Sequence, residues 1–396
     1  MTGYYGALQI SIWADICVSM TFAAVYLGGT GHSNAAIGII LAAGNLLGAA
    51  LGPWISSAID KHREITPVRL MPYIIGARAI AIAVIFADAG GGWLTDIFYV
   101  LFMAMSLCAN TLILKIYVDA DYSGVHIDFG IGRGLGSAAY VVVSSLLGII
   151  VRNTSVRAII WAGIIIWVYQ VAAFILFRMK LKSAAAGAIS AASLPGEKGS
   201  VQASGLIRFA ADNKRFCLLL LGIFLVFYSH STLGSFMINV VENVGGDTGD
   251  MGFMNAFMAL VEIPAVMFYT KFFGSKDRRR ILRIAFIFFA FKAIGAALAT
   301  NLAMLAAAMV LQAPSFGLYT PAIVLYTSEV VRHEDSAKAQ SLVFSMTTLG
   351  SVFASLISGA LLDIVSVRMT MAIAAAVCVA GTAVAIMSIQ KKPSEQ

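Results

Sequence analysis

The sequence predicts an all-α membrane protein of about twelve transmembrane helices, arranged as two pseudo-symmetric six-helix bundles. Three observations predict it: composition, the length of the apolar runs, and where the basic residues fall. Hydrophobic residues make up 60% of the 396 residues and charged residues only 12%, with mean hydropathy +0.87. That is too little charge to cover a soluble surface. Many runs hold roughly 18 or more mostly apolar residues, enough to cross ~30 Å of hydrocarbon. A backbone in lipid must satisfy its own hydrogen bonds, so spans are helices or closed barrels. Long continuous runs, in place of short alternating strands, select helices.

The spans fall at residues 5–27, 35–59, 70–88, 94–118, 130–151, 157–178, 216–240, 251–273, 283–300, 302–327, 341–362 and 369–389. With a cytoplasmic N-terminus, most of the 27 Lys and Arg lie on the inner side. Lys61, Arg63 and Arg69 lie between spans two and three, and Arg178 to Arg215 between six and seven. Lys271 to Arg283 lie between eight and nine, and Lys391 and Lys392 at the end. Only Arg152, Arg157 and Arg368 fall outside. This asymmetry follows the positive-inside rule and predicts a multi-pass protein of the cell membrane with both termini cytoplasmic. The net charge of +7 is thereby read as topology, and nucleic acid is not an expected partner. The N-terminus lacks the basic region and cleavage site of a removable signal.

Residues 179–214 divide the chain between bundles at 1–178 and 215–396. The Ala/Ser/Gly-rich stretch KLKSAAAGAISAASLPGEKGSVQASGLI reads as a flexible cytoplasmic linker, and LIRFAADNKRF after it as a short surface helix. A shift of 214 residues superimposes Gly38 on Gly252, Arg69 on Arg283, Arg78 on Lys292, and Leu135-Gly136-Ser137 on Leu349-Gly350-Ser351. A constant offset across three span pairs indicates an internal repeat. An even number of spans per half makes the repeats parallel, as in transporters that rock around a midplane site.

Charges inside spans are expensive and mark function or pairing. Asp15, Arg78, Arg133, Glu262 and Lys292 are such residues. Asp15 and Glu262 are the carboxylates well inside spans. A carboxylate that alternates between a dry and a cationic setting can load and unload a proton, which makes both candidates for proton coupling; sodium would suit the same groups. Static pairing is the alternative, above all for Arg78 and Lys292, and Arg78 could instead snorkel. His230 reads as a packing histidine with the chemistry of a relay. In span five, HIDFGIGRGLGSAAY places Arg133, Ser137 and Tyr140 on one helix face. A guanidinium, a hydroxyl and a ring suit a sugar or nucleoside, with Gln312 assisting. Gly130, Gly132, Gly134 and Gly136 would pack as small residues against span eight. The four cysteines read as core residues, and no nucleophile–base set or metal cluster suggests an enzyme. No cofactor is expected.

These residues resemble the major facilitator superfamily over essentially the whole chain, and within it the oligosaccharide (lactose permease-like) and nucleoside proton symporters. Asp128-Phe129-Gly130 with Arg133 and Gly136 matches the acidic-Phe-Gly-x-x-Arg-x-x-Gly segment of the former. Arg133 and Tyr140 fall on its sugar-binding Arg and stacking aromatic. Arg133, Ser137 and Tyr140 also match the nucleoside symporters, whose eighth-helix carboxylate resembles Glu262. The superfamily's loop motif survives as Asp60, Lys61 and Arg63. Lys115 stands where the sugar-binding acid of the fourth helix would be, and residues around Phe316 and Tyr319 replace the coupling His and Glu of the tenth. The resemblance implies a monomeric secondary transporter that couples a small polar solute to a proton. A drug or metabolite exporter is the alternative.

Overall fold

A computed structural model describes residues 1–62, 65–88, 91–122, 125–188, 205–274 and 276–390. Arg63, most of the Ala/Ser/Gly-rich linker, Lys391 and Lys392 lie outside the described residues, as does the side chain of Asp60. Everything described is helix, turn or extended connection, with no strand among the described residues. Eleven helices are long and apolar enough to cross a membrane, or twelve if a bent pair at the N-terminus is one span.

That pair is span one, Thr2–Ile16, a π-helical turn at Cys17–Thr21, and Ala23–Gly29, bent by 44°. Spans two to six are Asn34–Lys61, Pro67–Ala87, Trp93–Tyr122, Phe129–Asn153 and Arg157–Ala188. The short helix Leu206–Asp212 follows the linker where the sequence predicts one. Span seven is Lys214–Ser235 continued by Met237–Asn243, and span eight Thr248–Met267 continued by Tyr269–Phe273. Span nine is Arg278–Leu298. Span ten runs as Leu302–Val310, a π-helical turn Ala313–Gly317 and Leu318–Val330, and spans eleven and twelve are Ser336–Ile364 and Val367–Ser388.

Side-chain oxygens start many of these helices. Ser33, Thr66, Asp128, Asp277, Asn301 and Ser366 each accept a hydrogen bond from a backbone N–H of the first turn, satisfying a donor that the helix leaves orphaned. Pro67 adds its fixed φ at the start of span three. In span ten Pro314 lies in the π turn, where the missing N–H and the ring break the regular ladder. Side chains such as Ile364, 78% exposed, and Trp54, 68% exposed, would be costly in water; on a spanning helix they face lipid.

The chain divides into two compact units, 1–196 with 248–256, and 197–247 with 257–396. In the first, span one packs on spans five and six, span three on four and six, and span two on four. Tyr5, Leu8, Ile12, Leu112, Ile113 and Phe177 lie at its buried centre. In the second, span seven packs on eleven and twelve, and span nine on ten and twelve. These four pairings repeat four of the first unit's five under the 214-residue shift. The agreement reaches single contacts. A Cβ on Gly136 would meet Trp13 at 2.5 Å, and one on Gly350 would meet Phe227 at 3.0 Å; Trp13 and Phe227 are themselves 214 apart.

Candidate functional site

The first unit carries two polar clusters. In one, Arg133 and Ser137 lie one turn apart on span five, and Arg133 Nη1 donates to Ser137 Oγ at 2.7 Å. The guanidinium carbon lies 3.7 Å from the centre of the Trp13 ring on span one, a stacked cation–π contact that fixes a long side chain. The span five glycines make this possible. Gly132 and Gly136 receive Tyr5 and Trp13, with atoms at 2.6 and 2.5 Å from where a Cβ would stand. Their packing partner is therefore span one, not span eight as the small-residue pattern suggests. Gly134 has nothing within 4 Å of a Cβ. One turn beyond Ser137, the Tyr140 hydroxyl shares a hydrogen bond of 2.9 Å with Thr21 Oγ1, in the π turn of span one. Arg133, Ser137 and Tyr140 are all partly exposed.

The second cluster is dry. Asp15 and Arg78 are both 0% exposed, and Arg78 Nη2 is ion-paired with Asp15 Oδ1. Its Nη1 donates to Gln170 Oε1 on span six, and Gln170 is 1% exposed. The ring of Phe102 lies 5.6 Å from the guanidinium carbon. Spans one, three and six are thus joined through one guanidinium. Arg78 pairs inside the bundle; it does not snorkel to the surface.

The second unit builds a different network around Lys292, which is 1% exposed. Lys292 Nζ lies 2.9 Å from His230 Nδ1 on span seven and donates to Gln312 Oε1 on span ten at 2.7 Å. Gln312 Nε2 in turn donates to Glu262 Oε2 on span eight at 3.1 Å. An ammonium has donors only, so with Lys292 charged His230 Nδ1 accepts and the neutral ring carries its proton on Nε2. His230 also stacks on Phe316, centroids 5.2 Å apart at 22°. Phe316 and Gln312 flank the break at Pro314, and π turns of this kind recur at functional positions. The carboxylate end of the chain, Glu262, is partly exposed while the ammonium end is buried.

All eight residues singled out in the sequence lie in one of these clusters: Arg133, Ser137 and Tyr140; Asp15 and Arg78; Glu262, Lys292 and Gln312. His230 joins the last group as a bonded partner of Lys292, which is more than packing. Of the span amides, Asn45 and Asn255 instead donate to carbonyls of their own helices, Leu41 and Met251. Trp13 is the residue that the sequence reading missed. Its signal was present: it is the repeat mate of Phe227 and lies on the glycine that the repeat matches to Gly350.

Residues 219–396 match the family model of the Major Facilitator Superfamily. Across the whole chain the fold is similar to solved transporters. A mutant of the nucleoside transporter NupG superimposes with TM-score 0.74 at 13% identity, covering 98% of this chain and 100% of that one. Unmutated NupG gives 0.71 at 13% identity, with 98% of both chains covered. A bacterial homologue of the human lysosomal transporter Spinster, inward-facing and unoccupied, gives 0.69 at 14% identity, covering 98% and 96%. At these identities the likeness is one of fold. No curated protein sequence matches the chain. The C-terminal part of the chain thus matches the family model of the Major Facilitator Superfamily, and the described helices, eleven or twelve of them long and apolar enough to cross a membrane, share the fold of these solved transporters.

Proposed function

We propose that the protein is a proton-coupled symporter that imports a small polar, hydroxylated ring solute by alternating access, a sugar or short oligosaccharide first. It would act as a monomer in the cell membrane with both termini cytoplasmic. The observation that carries this reading is the chain Lys292–Gln312–Glu262. It links a buried ammonium to a partly exposed carboxylate through one amide. When Glu262 takes a proton its charge is cancelled, the bond from Gln312 Nε2 weakens, and Gln312 is freed to turn toward a solute. When Glu262 loses the proton the amide is recaptured. Proton loading and solute contact are thereby tied to the same side chain, the differential contact that coupling requires. Asp15, already paired with Arg78 and fully buried, is the second candidate for the proton. On the solute side, Arg133 held flat on Trp13 would present its remaining N–H groups to hydroxyls or carbonyls, with Ser137 beside it and Tyr140 offering a ring face.

A nucleoside is the second reading. The fold is similar to that of a nucleoside transporter, and the stacked His230–Phe316 pair offers aromatic surface of the kind a base seeks. The test is solute-triggered acidification in liposomes holding an internal pH dye, challenged with a panel of sugars and nucleosides. One class should acidify the lumen, and Arg133→Ala should abolish the response. Silence across the panel with folded protein would contradict symport of either class.

A further inference from the structure

Spans three and six of the first unit are separated by a furrow that none of the clusters above uses. Its inner part is a cavity of about 380 Å³ lined by Ala79, Ile82, Ala83 and Phe86 from span three and Ile164 and Trp167 from span six. The span three residues lie at i, i+3, i+4 and i+7, one helix face, with two alanines leaving room along it. Its outer part is a cavity of about 440 Å³ lined by Tyr26, Gly29, Thr30, Phe86, Arg157 and Ile160, among others. Phe86 lines both and packs edge-on against Trp161 at 5.0 Å, so the two parts adjoin at this ring. At the inner end Trp167 Nε1 donates to Ile75 O at 2.9 Å and joins the two spans.

We infer that this furrow is a binding site for a single phospholipid with a net negative headgroup, its acyl chain between spans three and six and its phosphate on Arg157. Length supports this: from Arg157 to Trp167 is ten residues, ~15 Å of helix rise, which is half of the ~30 Å hydrocarbon core, or one leaflet. Charge supports it as well. Arg157 is exposed, has no ion pair among the described residues, and opens onto the polar end of an otherwise apolar channel. The acids at this end are engaged: Asp88 accepts from Thr95 N and Oγ1 at 3.1 and 3.0 Å, and Asp96 holds His32 Nε2 at 2.7 Å. A guanidinium at headgroup depth beside an apolar slot between two spans is the arrangement that holds anionic lipid heads, and its fork suits a phosphate.

The probe is phosphatidylglycerol carrying a photoactivatable diazirine midway along one acyl chain, added to the full-length protein in phosphatidylcholine bilayers. After illumination, adducts are mapped by peptide mass spectrometry. The site predicts label concentrated in residues 79–86 and 160–167. Arg157→Gln should reduce that label roughly fivefold, the worth of one cation near a membrane surface, and Arg157→Lys should retain most of it. Arg152→Gln, which removes a charge from the same end, should leave it unchanged. Ala83→Trp should block the slot without altering the thermal unfolding midpoint. Label spread evenly over all lipid-facing helices, undiminished label in Arg157→Gln, or equal labelling by a phosphatidylcholine probe would each overturn the proposal.

Discussion

Arg78 and Lys292 occupy the same position of the repeat, each on the third helix of its half and each almost wholly buried. Their surroundings differ in one decisive respect. Asp15, which neutralises Arg78, corresponds under the 214-residue shift to Ser229, so the second half has no carboxylate at that place. Arg78 is therefore an arginine, permanently charged, fixed by a carboxylate and an amide in a dry interior. Lys292 is an ammonium hydrogen-bonded to His230 and Gln312, with the Glu262 carboxylate reached through that amide. One half spends the buried cation on holding three helices together; under the proposed function the other would use its cation in coupling. On that proposal a duplicated fold assigns structure to one copy and coupling to the other.

The comparison can be broken most forcefully at Arg78. Arg78→Met leaves the Asp15 charge buried without its partner, a change of about 3–5 kcal/mol. It should appear as a large drop in the thermal unfolding midpoint in detergent. Arg78→Met combined with Asp15→Asn should recover most of the loss, because no isolated charge remains. A stable single variant would contradict the static role. Lys292→Met should destabilise less, about 1.5–3 kcal/mol for hydrogen bonds to a charged group, yet abolish proton-driven accumulation in vesicles. Equal stability losses at the two sites would erase the distinction drawn between them.

The two repeat-matched glycines sharpen the same comparison at smaller scale. Gly136→Ala and Gly350→Ala should each lower stability by about 1–3 kcal/mol, since their Cβ atoms would meet Trp13 at 2.5 Å and Phe224 O at 2.8 Å. Only Gly136→Ala should also weaken solute binding, because it displaces the ring on which Arg133 lies. Isothermal titration of both variants separates the effects.

The smallest effect is expected at Asp277, which caps span nine. Partial burial pushes its carboxyl up, but the bonds from Arg279 and the charges of Arg279 and Arg280 together outweigh this and hold it below the usual 3.8. A depressed folded value means that the contribution is complete above about 3.8 and is lost as pH falls through the folded value. Asp277→Ala should lower stability by about 1 kcal/mol at pH 7, and the gap from wild type should narrow on acidification toward pH 3. A gap that widens with acid would refute this.

The spans were legible because each must be long and apolar, and the cap residues Ser33, Thr66 and Ser366 mark starts that short-range chemistry alone dictates. The bend of span one at Phe22 was not legible, since no Pro or Gly marks it, whereas Pro314 does mark the break in span ten. The site was half legible. The charges stand out in an apolar sequence, so all eight chosen residues fall in clusters. Their pairing was not readable, because helices that are apolar nearly all round do not announce which face turns inward. Asp15 and Arg78 were thus read as separate candidates when they bond each other, and the glycines of span five were assigned to the wrong neighbour. The repeat marked Trp13 as the mate of Phe227, but not as a platform for Arg133, because that role depends on the backbone approach that Gly136 permits.

The account rests on Glu262 as the group that exchanges the proton, and the direct measurement is proton movement against solute movement in Glu262→Gln. In liposomes, the variant is expected to retain solute counterflow while solute-triggered acidification of the lumen disappears. Acidification of wild-type size in that variant would place the coupling proton elsewhere and contradict the central claim.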